Sequence, residues 1–358
     1  MTERGHGHRR PRGAAADQAI DRRRMAAQVA GSLLGIHALL GLVATPMRAL
    51  AQTALRLPRI GMLFFGVAPT ASSPDSEKGF LKGLRDLGYV EGQNVRIERR
   101  YAQGRSDRLA SLAAELVQLP VDVIVAAGPG PLGAARSATR TIPIVTVSGA
   151  DPVRDGWASS LARPGGNVTG LTVTFPELHL KRLEVMKQAF PQIVRVVMLA
   201  HPAEAASGVA YARLTDADAR RLGLLVTIVE IHGPGDFDAA FALARTQRAQ
   251  AIYAVATNTV LSHAAKLAAL AAADRLVSIS EFALLAQAGF VLTYGADLDD
   301  VQRRSITQVH KIPNGARPGE LPIERPTKFR LALNLASAKA IGLAVPQSLL
   351  LRADEVIE

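Results

Sequence analysis

From Arg59 to Tyr294 the chain repeats one pattern, a short apolar run rich in β-branched residues followed by a stretch with helical period. Each parallel strand pair needs a crossover, and a helix is the usual one, so this alternation confines the chain to parallel sheets covered on both faces. The apolar runs predict strands at Ile60–Phe65, Asn94–Tyr101, Val121–Ala126 and Ile142–Val147. Helices are expected between them at Glu77–Leu87, Asp107–Gln118 and Pro131–Thr139. Leu109, Leu112, Ala113 and Leu116 share one helix face, the spacing needed to cover a sheet.

After Gly165-Gly166-Asn167 the series starts again. Strands are expected at Val168–Val173, Val194–Leu199, Leu225–Ile231, Ala251–Ala256, Leu276–Ile279 and Phe290–Tyr294. Helices are expected at Pro176–Ala189, Ala210–Leu222, Asp236–Arg245, Ser262–Ala273 and Glu281–Ala288. Two runs mean two sheets, hence an α/β chain of two lobes, each a parallel sheet flanked by helices, with an interlobe cleft. A helix at Asp299–His310, a Pro/Gly-rich connection at Pro313–Pro326, a strand at Thr327–Asn334 and a helix at Leu335–Gly342 follow, so the chain is expected to cross back between lobes. The lobes expected are 59–170 with 296–325, and 171–295 with 326–358.

Residues 1–51 read as an export leader. Seven arginines precede Met25, no charged residue lies between Met25 and Met47, and Ala49-Leu50-Ala51 offers a small-x-small cleavage site. Cleavage after Ala51 is expected, giving a periplasmic protein; an uncleaved leader would act as a membrane anchor. The leader also reorganises the charge. Of the formal +11, it carries +5 and the remaining 307 residues +6, with Lys and Arg interspersed among Asp and Glu. Such a surface does not suggest a nucleic-acid groove. The chain has no cysteine, which excludes a disulfide framework, a thiolate metal site, a cysteine nucleophile and a lipid-modified N-terminal cysteine.

In open parallel sheets ligands bind beyond the carboxyl ends of the strands, where helix N-termini present free N–H groups. The first lobe's strand ends offer Phe65, Gly128-Pro129 and Ser148, with Asp151 just beyond. The second lobe's offer Thr174-Phe175, Asn258, Glu281-Phe282 and Tyr294. Gly128-Pro129-Gly130 is either an anion cradle or a tight strand-to-helix turn, and Asp151 either a partner for a ligand ammonium or a turn residue. Thr174 with Glu177 matches a capping box. The aromatics Phe65, Phe175, Phe282 and Tyr294 either stack on a planar ligand or belong to the core.

Signals for catalysis are sparse. The five histidines outside the leader, His179, His201, His232, His263 and His310, lack metal-ligand spacing, and no GxSxG elbow occurs. Neither a metal nor a cofactor is expected. His201, at a strand end, is the histidine best placed for chemistry, but a solvated loop histidine is the favoured reading and no catalytic residue is expected.

Several long segments resemble one family of ABC transporter substrate-binding proteins. They are Gly79-Phe80-Leu81-Lys82-Gly83-Leu84-Arg85-Asp86-Leu87-Gly88-Tyr89-Val90-Glu91-Gly92, Val121 to Gly128, Asp151-Pro152, Ser160 to Leu171, Lys181-Arg182-Leu183-Glu184, Pro326 to Leu335 and Arg352 to Ile357. The resemblance implies a type I periplasmic-binding-protein fold of two Rossmann-like lobes, in the tryptophan/tyrosine-type group. It also implies capture of a small ligand, an amino acid or an aromatic or carboxylate compound, by lobe closure. A monomer that delivers its ligand to ABC permease subunits is expected, with no nucleic-acid partner. A ligand sensor signalling through a partner protein, or an α/β enzyme, are the alternatives.

Overall fold

The computed structural model describes residues 57–69, 77–149, 151–173, 176–201 and 216–358. The expected leader, Thr174, Phe175 and the first part of the helix expected at 210–222 lie outside the described residues.

The first sheet contains β1 (Arg59–Phe64), β2 (Arg96–Tyr101), β3 (Val123–Ala127), β4 (Ile144–Ser148) and β5 (Val168–Thr172), all parallel, in the order β2-β1-β3-β4-β5. Strand alternation sends Val123 and Val125 into one apolar cluster, and Ile124 and Ala126 into another on the opposite face. Both faces are therefore buried, which is why β3 reads as a continuous apolar run. Helices α1 (Lys78–Asp86), α2 (Leu109–Gln118) and α3 (Pro129–Ala138) connect these strands, and α2 buries the four residues predicted for its inner face.

The second sheet repeats the design with β6 (Arg195–Ala200), β7 (Leu225–Glu230), β8 (Ala251–Ala254), β9 (Val277–Ser280) and β10 (Leu292–Ala296). Helices α4 (Pro176–Ala189), α5 (Asp216–Arg221), α6 (Phe237–Thr246), α7 (Asn258–Ser262), α8 (Ala264–Ala273) and α9 (Ala283–Gln287) alternate with them. The sheet order is β12-β11-β10-β9-β8-β6-β7, where β11 is Phe329–Asn334 and β12 is Glu355–Ile357. One departure from the expected parallel sheet appears here. β11 runs antiparallel to β10, because the chain returns to this sheet from the other side. The short edge strand β12 was not anticipated; three residues carry too little pattern to show period two.

Helix α10 (Leu298–Lys311) explains that return. In sequence it follows the second sheet, yet it packs against α1 of the first. Gly79 and Gly83, one turn apart on α1, make the approach possible. A Cβ on Gly83 would sit 2.8 Å from the Arg303 carbonyl oxygen, and one on Gly79 would sit 2.7 Å from the Gln302 Cβ. Among the described residues the chain thus changes sheet after β5, after β10 and before β11. At the last two passages the strands touch, with the Asp297 N–H donating to the Lys328 carbonyl at 3.1 Å.

Candidate functional site

The carboxyl ends of β1, β3, β8 and β9 border one cleft of ≈ 1380 Å³ between the two sheets. Its position follows from chain direction alone, since parallel strands end together and the connecting helices begin there. Of the residues predicted from strand ends, Phe65, Gly128 and Pro129 line it from the first sheet; Asn258, Glu281 and Phe282 line it from the second. The others do not join them. Ser148 is buried at the end of β4 and is not among the lining residues. Asp151 also lies off the cleft, its Oδ1 accepting from the N–H groups of Val153 and Arg154 at 3.1 and 3.0 Å, as an Asx-type turn requires. Thr174 and Phe175 fall outside the described residues. Tyr294 stacks on Phe329, with ring centroids 6.1 Å apart, and packs against the core cluster that holds Leu183 and Met186 of α4.

The start of α3 differs from an ordinary helix N-terminus. Four unsatisfied N–H groups are usual there. Here Pro129 and Pro131 have none, and the Gly128 N–H donates to the Val147 carbonyl. Only the Gly130 N–H remains in that turn, so Gly128-Pro129-Gly130 acts mainly as a tight turn, with φ of 99° at Gly128. Facing it across the cleft is Asn258, at the start of α7. A Cβ placed on Gly128 or Gly130 would lie 3.6 Å from the Asn258 amide.

Phe282 crosses the cleft in the other direction. It follows β9 of the second sheet, yet it is buried in the apolar cluster holding Phe64, Val147 and Val173 of the first. Three histidines line the second-sheet side, a grouping that scattered sequence positions hid. The His201 and His232 rings lie 6.0 Å apart, and His263 Nδ1 is 3.0 Å from the Thr259 carbonyl. Among the described residues no three His, Asp or Glu side chains are placed to hold a metal ion. Lys78, another lining residue not foreseen, brings a cation to the first-sheet wall.

Directly behind the Glu281-Phe282 wall lies a buried polar cluster. Arg182 on α4 and Glu281 are 1% and 2% exposed, and their charged groups approach to 3.4 Å. Arg182 Nε donates to the Tyr294 carbonyl at 2.6 Å and Nη1 to the Tyr253 hydroxyl at 2.9 Å. That hydroxyl also meets His179 Nδ1 at 2.6 Å and Glu281 Oε1 at 3.4 Å. Burial pushes the Glu281 carboxyl above the usual carboxylate range, opposed by Arg182 and by hydrogen bonds from the Ala256 N–H and Tyr253. Burial, reinforced by the Arg182 cation, pulls the His179 imidazole down to about 3.

This cluster sets opposed pH dependences. Between about pH 6.5 and 3 the unfolded chain protonates at His179 and the folded protein does not, so stability falls as pH drops through that window. For Glu281 the folded group holds its proton to higher pH than the unfolded one, so its contribution falls as pH rises above the unfolded value. Urea unfolding between pH 7 and 4 is expected to show wild type losing more stability than His179→Gln. The difference should approach about 1.4 kcal/mol per pH unit. Equal losses would place the His179 proton uptake outside the folded–unfolded equilibrium.

Two sheets flanked by helices, facing each other across a cleft lined by strand ends, define a bilobal α/β fold of the type I periplasmic-binding-protein class. The chain belongs to the ABC transporter substrate binding protein family, whose profile matches residues 70–357. It is 25% identical over 268 residues to a tyrosine-binding protein of Clostridioides difficile (strain R20291), covering 75% of this chain and 76% of that one. A conserved domain protein from Vibrio cholerae superposes with a TM-score of 0.76 at 25% identity, covering 84% of this chain and all of that one. A Streptococcus pneumonia ABC domain in complex with L-Trp has the same TM-score at 22% identity, with the same coverage. Among the described residues no helix is long and apolar enough to cross a membrane.

Proposed function

We propose that the protein is the periplasmic capture component of an ABC import system, and that its ligand is an aromatic amino acid or a closely related aromatic carboxylate. The observation that carries this reading is the cleft itself. Phe65 and Phe282 approach it from opposite sheets, with the Asn258 amide and the Gly128-Pro129-Gly130 turn close to one another beside them. A flat apolar group suits the two aromatics, and the polar end of an amino acid suits the amide donors. The named ligand of the C. difficile relative supports the same class.

Closure is part of the reading. The cleft volume of ≈ 1380 Å³ exceeds the roughly 300–1,000 Å³ usual for a small-ligand pocket, so one amino acid fills it only if the walls approach further. The bodies that close are 59–170 with 296–325, and 171–295 with 326–358. A ligand touching both walls stabilises the closed state by the contacts it gains there. Export through the leader, with cleavage after Ala51, places this event in the periplasm beside the permease.

The reading is tested by thermal unfolding of the protein lacking residues 1–51 against L-Trp, L-Tyr, L-Phe, L-Leu, benzoate and glucose. At a hundredfold excess over Kd the true ligand adds about 2.7 kcal/mol, a rise in Tm of about 5 °C. Stabilisation is expected from one or more aromatic amino acids, confirmed by calorimetric titration. Stabilisation by glucose alone, or by no compound in the panel, would overturn the ligand assignment.

A further inference from the structure

The Arg182 cluster contains three side chains, Arg182, Tyr253 and His179, that do not line the cleft, and one, Glu281, that does. The cost of burying this charge pair argues that it serves more than packing, because apolar residues of similar volume would hold the core as well. What the pair joins is specific. Glu281 immediately precedes Phe282, the aromatic that enters the opposite lobe's cluster. Tyr294, whose carbonyl accepts from Arg182 Nε, lies on β10 two residues before the chain leaves for the first lobe.

Gly295 tightens the same junction. A Cβ there would lie 2.3 Å from the Glu281 carbonyl oxygen and 3.4 Å from Arg182 Nη2. The backbone before the interlobe passage is therefore pressed against the backbone of the cleft wall, and Arg182 clamps both from behind. Asp297, the next polar residue along, caps α10 through Asp300 and pairs with Arg330 of β11 at 2.9 Å. The passage between lobes is thus connected through Tyr294 and Gly295 to Glu281-Phe282.

We infer that Arg182 is a positioning residue for ligand capture: by holding Glu281 and the Tyr294 carbonyl together, it fixes the Phe282 wall of the cleft to the strand that leads into the hinge. The inference rests on the cleft being the ligand site. Arg182 does not touch the ligand, and its effect passes through Phe282 and the hinge strand. A lysine retains the charge but cannot present Nε and Nη1 donors in the fixed fork that reaches Tyr294 and Tyr253 together.

The test compares wild type, Arg182→Lys and Phe241→Leu, the last a buried change in the cluster on the opposite face of the second sheet. Hydrogen exchange without ligand is expected to show joint loss of protection at residues 281–285 and 294–297 in Arg182→Lys, with β6 and β7 unchanged. Loss confined to α4, or spread evenly over the sheet, would overturn the inference, and so would unchanged exchange throughout. The second arm measures affinity for whichever amino acid stabilises wild type, at a temperature where all three proteins are folded. Arg182→Lys is expected to bind about tenfold more weakly while Phe241→Leu binds like wild type. Equal affinities for the two variants would overturn the positioning role. Should no amino acid bind wild type, the ligand reading falls, and the exchange arm still decides whether Arg182 couples wall and hinge strand. If Arg182→Lys does not fold, Tyr253→Phe, which lies off the cleft and removes the hydroxyl shared by Arg182 and Glu281, takes its place with the same expected pattern.

Discussion

Gly170→Ala is expected to remove most of the protein's stability. Gly170 has φ of +138°, a region that side chains rarely occupy, and lies on β5 opposite Thr146 of β4. A Cβ there would stand 2.0 Å from the Thr146 carbonyl oxygen and 2.5 Å from its nitrogen. Neither atom can swing away like a side chain, since β4 is held on its other side by β3. The Gly170 carbonyl in turn accepts from the Glu324 N–H at 2.9 Å, so β5 cannot shift without loosening the segment that follows α10. Backbone strain and overpacking together are expected to cost upwards of about 4 kcal/mol, within a total that is commonly 5–15 kcal/mol. Calorimetry should show Tm lowered by roughly 10 °C or more, or no cooperative transition. Gly88→Ala is the informative control. It has φ of +79°, but a Cβ there would meet nothing within 4 Å, so only the conformational cost of about 1–2 kcal/mol is expected. Equal losses in the two variants would mean that the close approach to Thr146 is not maintained in solution.

Phe282→Ala is expected to weaken both folding and capture. The ring is 6% exposed, and its contacts lie mostly in the first lobe's cluster although its backbone belongs to the second sheet. Truncating a buried phenylalanine costs about 3–5 kcal/mol. Urea unfolding should show a loss in that range, accompanied by affinity at least about tenfold weaker for whichever compound of the ligand panel stabilises wild type. Phe65→Ala provides the comparison, because Phe65 also lines the cleft but packs into a cluster of its own lobe. A Phe282→Ala protein of unchanged stability would mean that the ring does not cross between lobes without ligand.

The segments that carry the family resemblance have structural work of their own. In Pro164 to Leu171, Asn167 Nδ2 donates to the Ile142 carbonyl at 2.9 Å, and Thr169 Oγ1 donates to the Leu321 carbonyl at 2.9 Å. Gly165 and Gly166 abut Gly319, where a Cβ would lie 2.9 Å from the Gly166 carbonyl oxygen. Gly79 and Gly83 seat α10. Lys181-Arg182-Leu183-Glu184 contributes the cation behind the cleft wall. These motifs hold the lobes and their passages in place, and the cleft wall draws mainly on strand-end loops of little repeated pattern.

That division accounts for what could be read in advance. Strand and helix periods are local, so β1 to β11, the inner face of α2 and the restart after Gly165 were visible from residue spacing, while the three-residue β12 was not. The direction of parallel strands then located the cleft, and Phe65, Gly128, Pro129, Asn258, Glu281 and Phe282 followed as residues at its border. Folding added the contacts between distant segments. It turned Asp151 onto its own turn and Tyr294 toward Phe329, and it drew His201, His232 and His263 to one wall. It also set Glu281 against Arg182, 99 residues earlier in the chain, and placed Phe282 in the opposite lobe. Backbone periodicity depends on neighbours a few residues apart. Which side chain meets which across a cleft depends on how two sheets pack, and no short stretch of sequence carries that information.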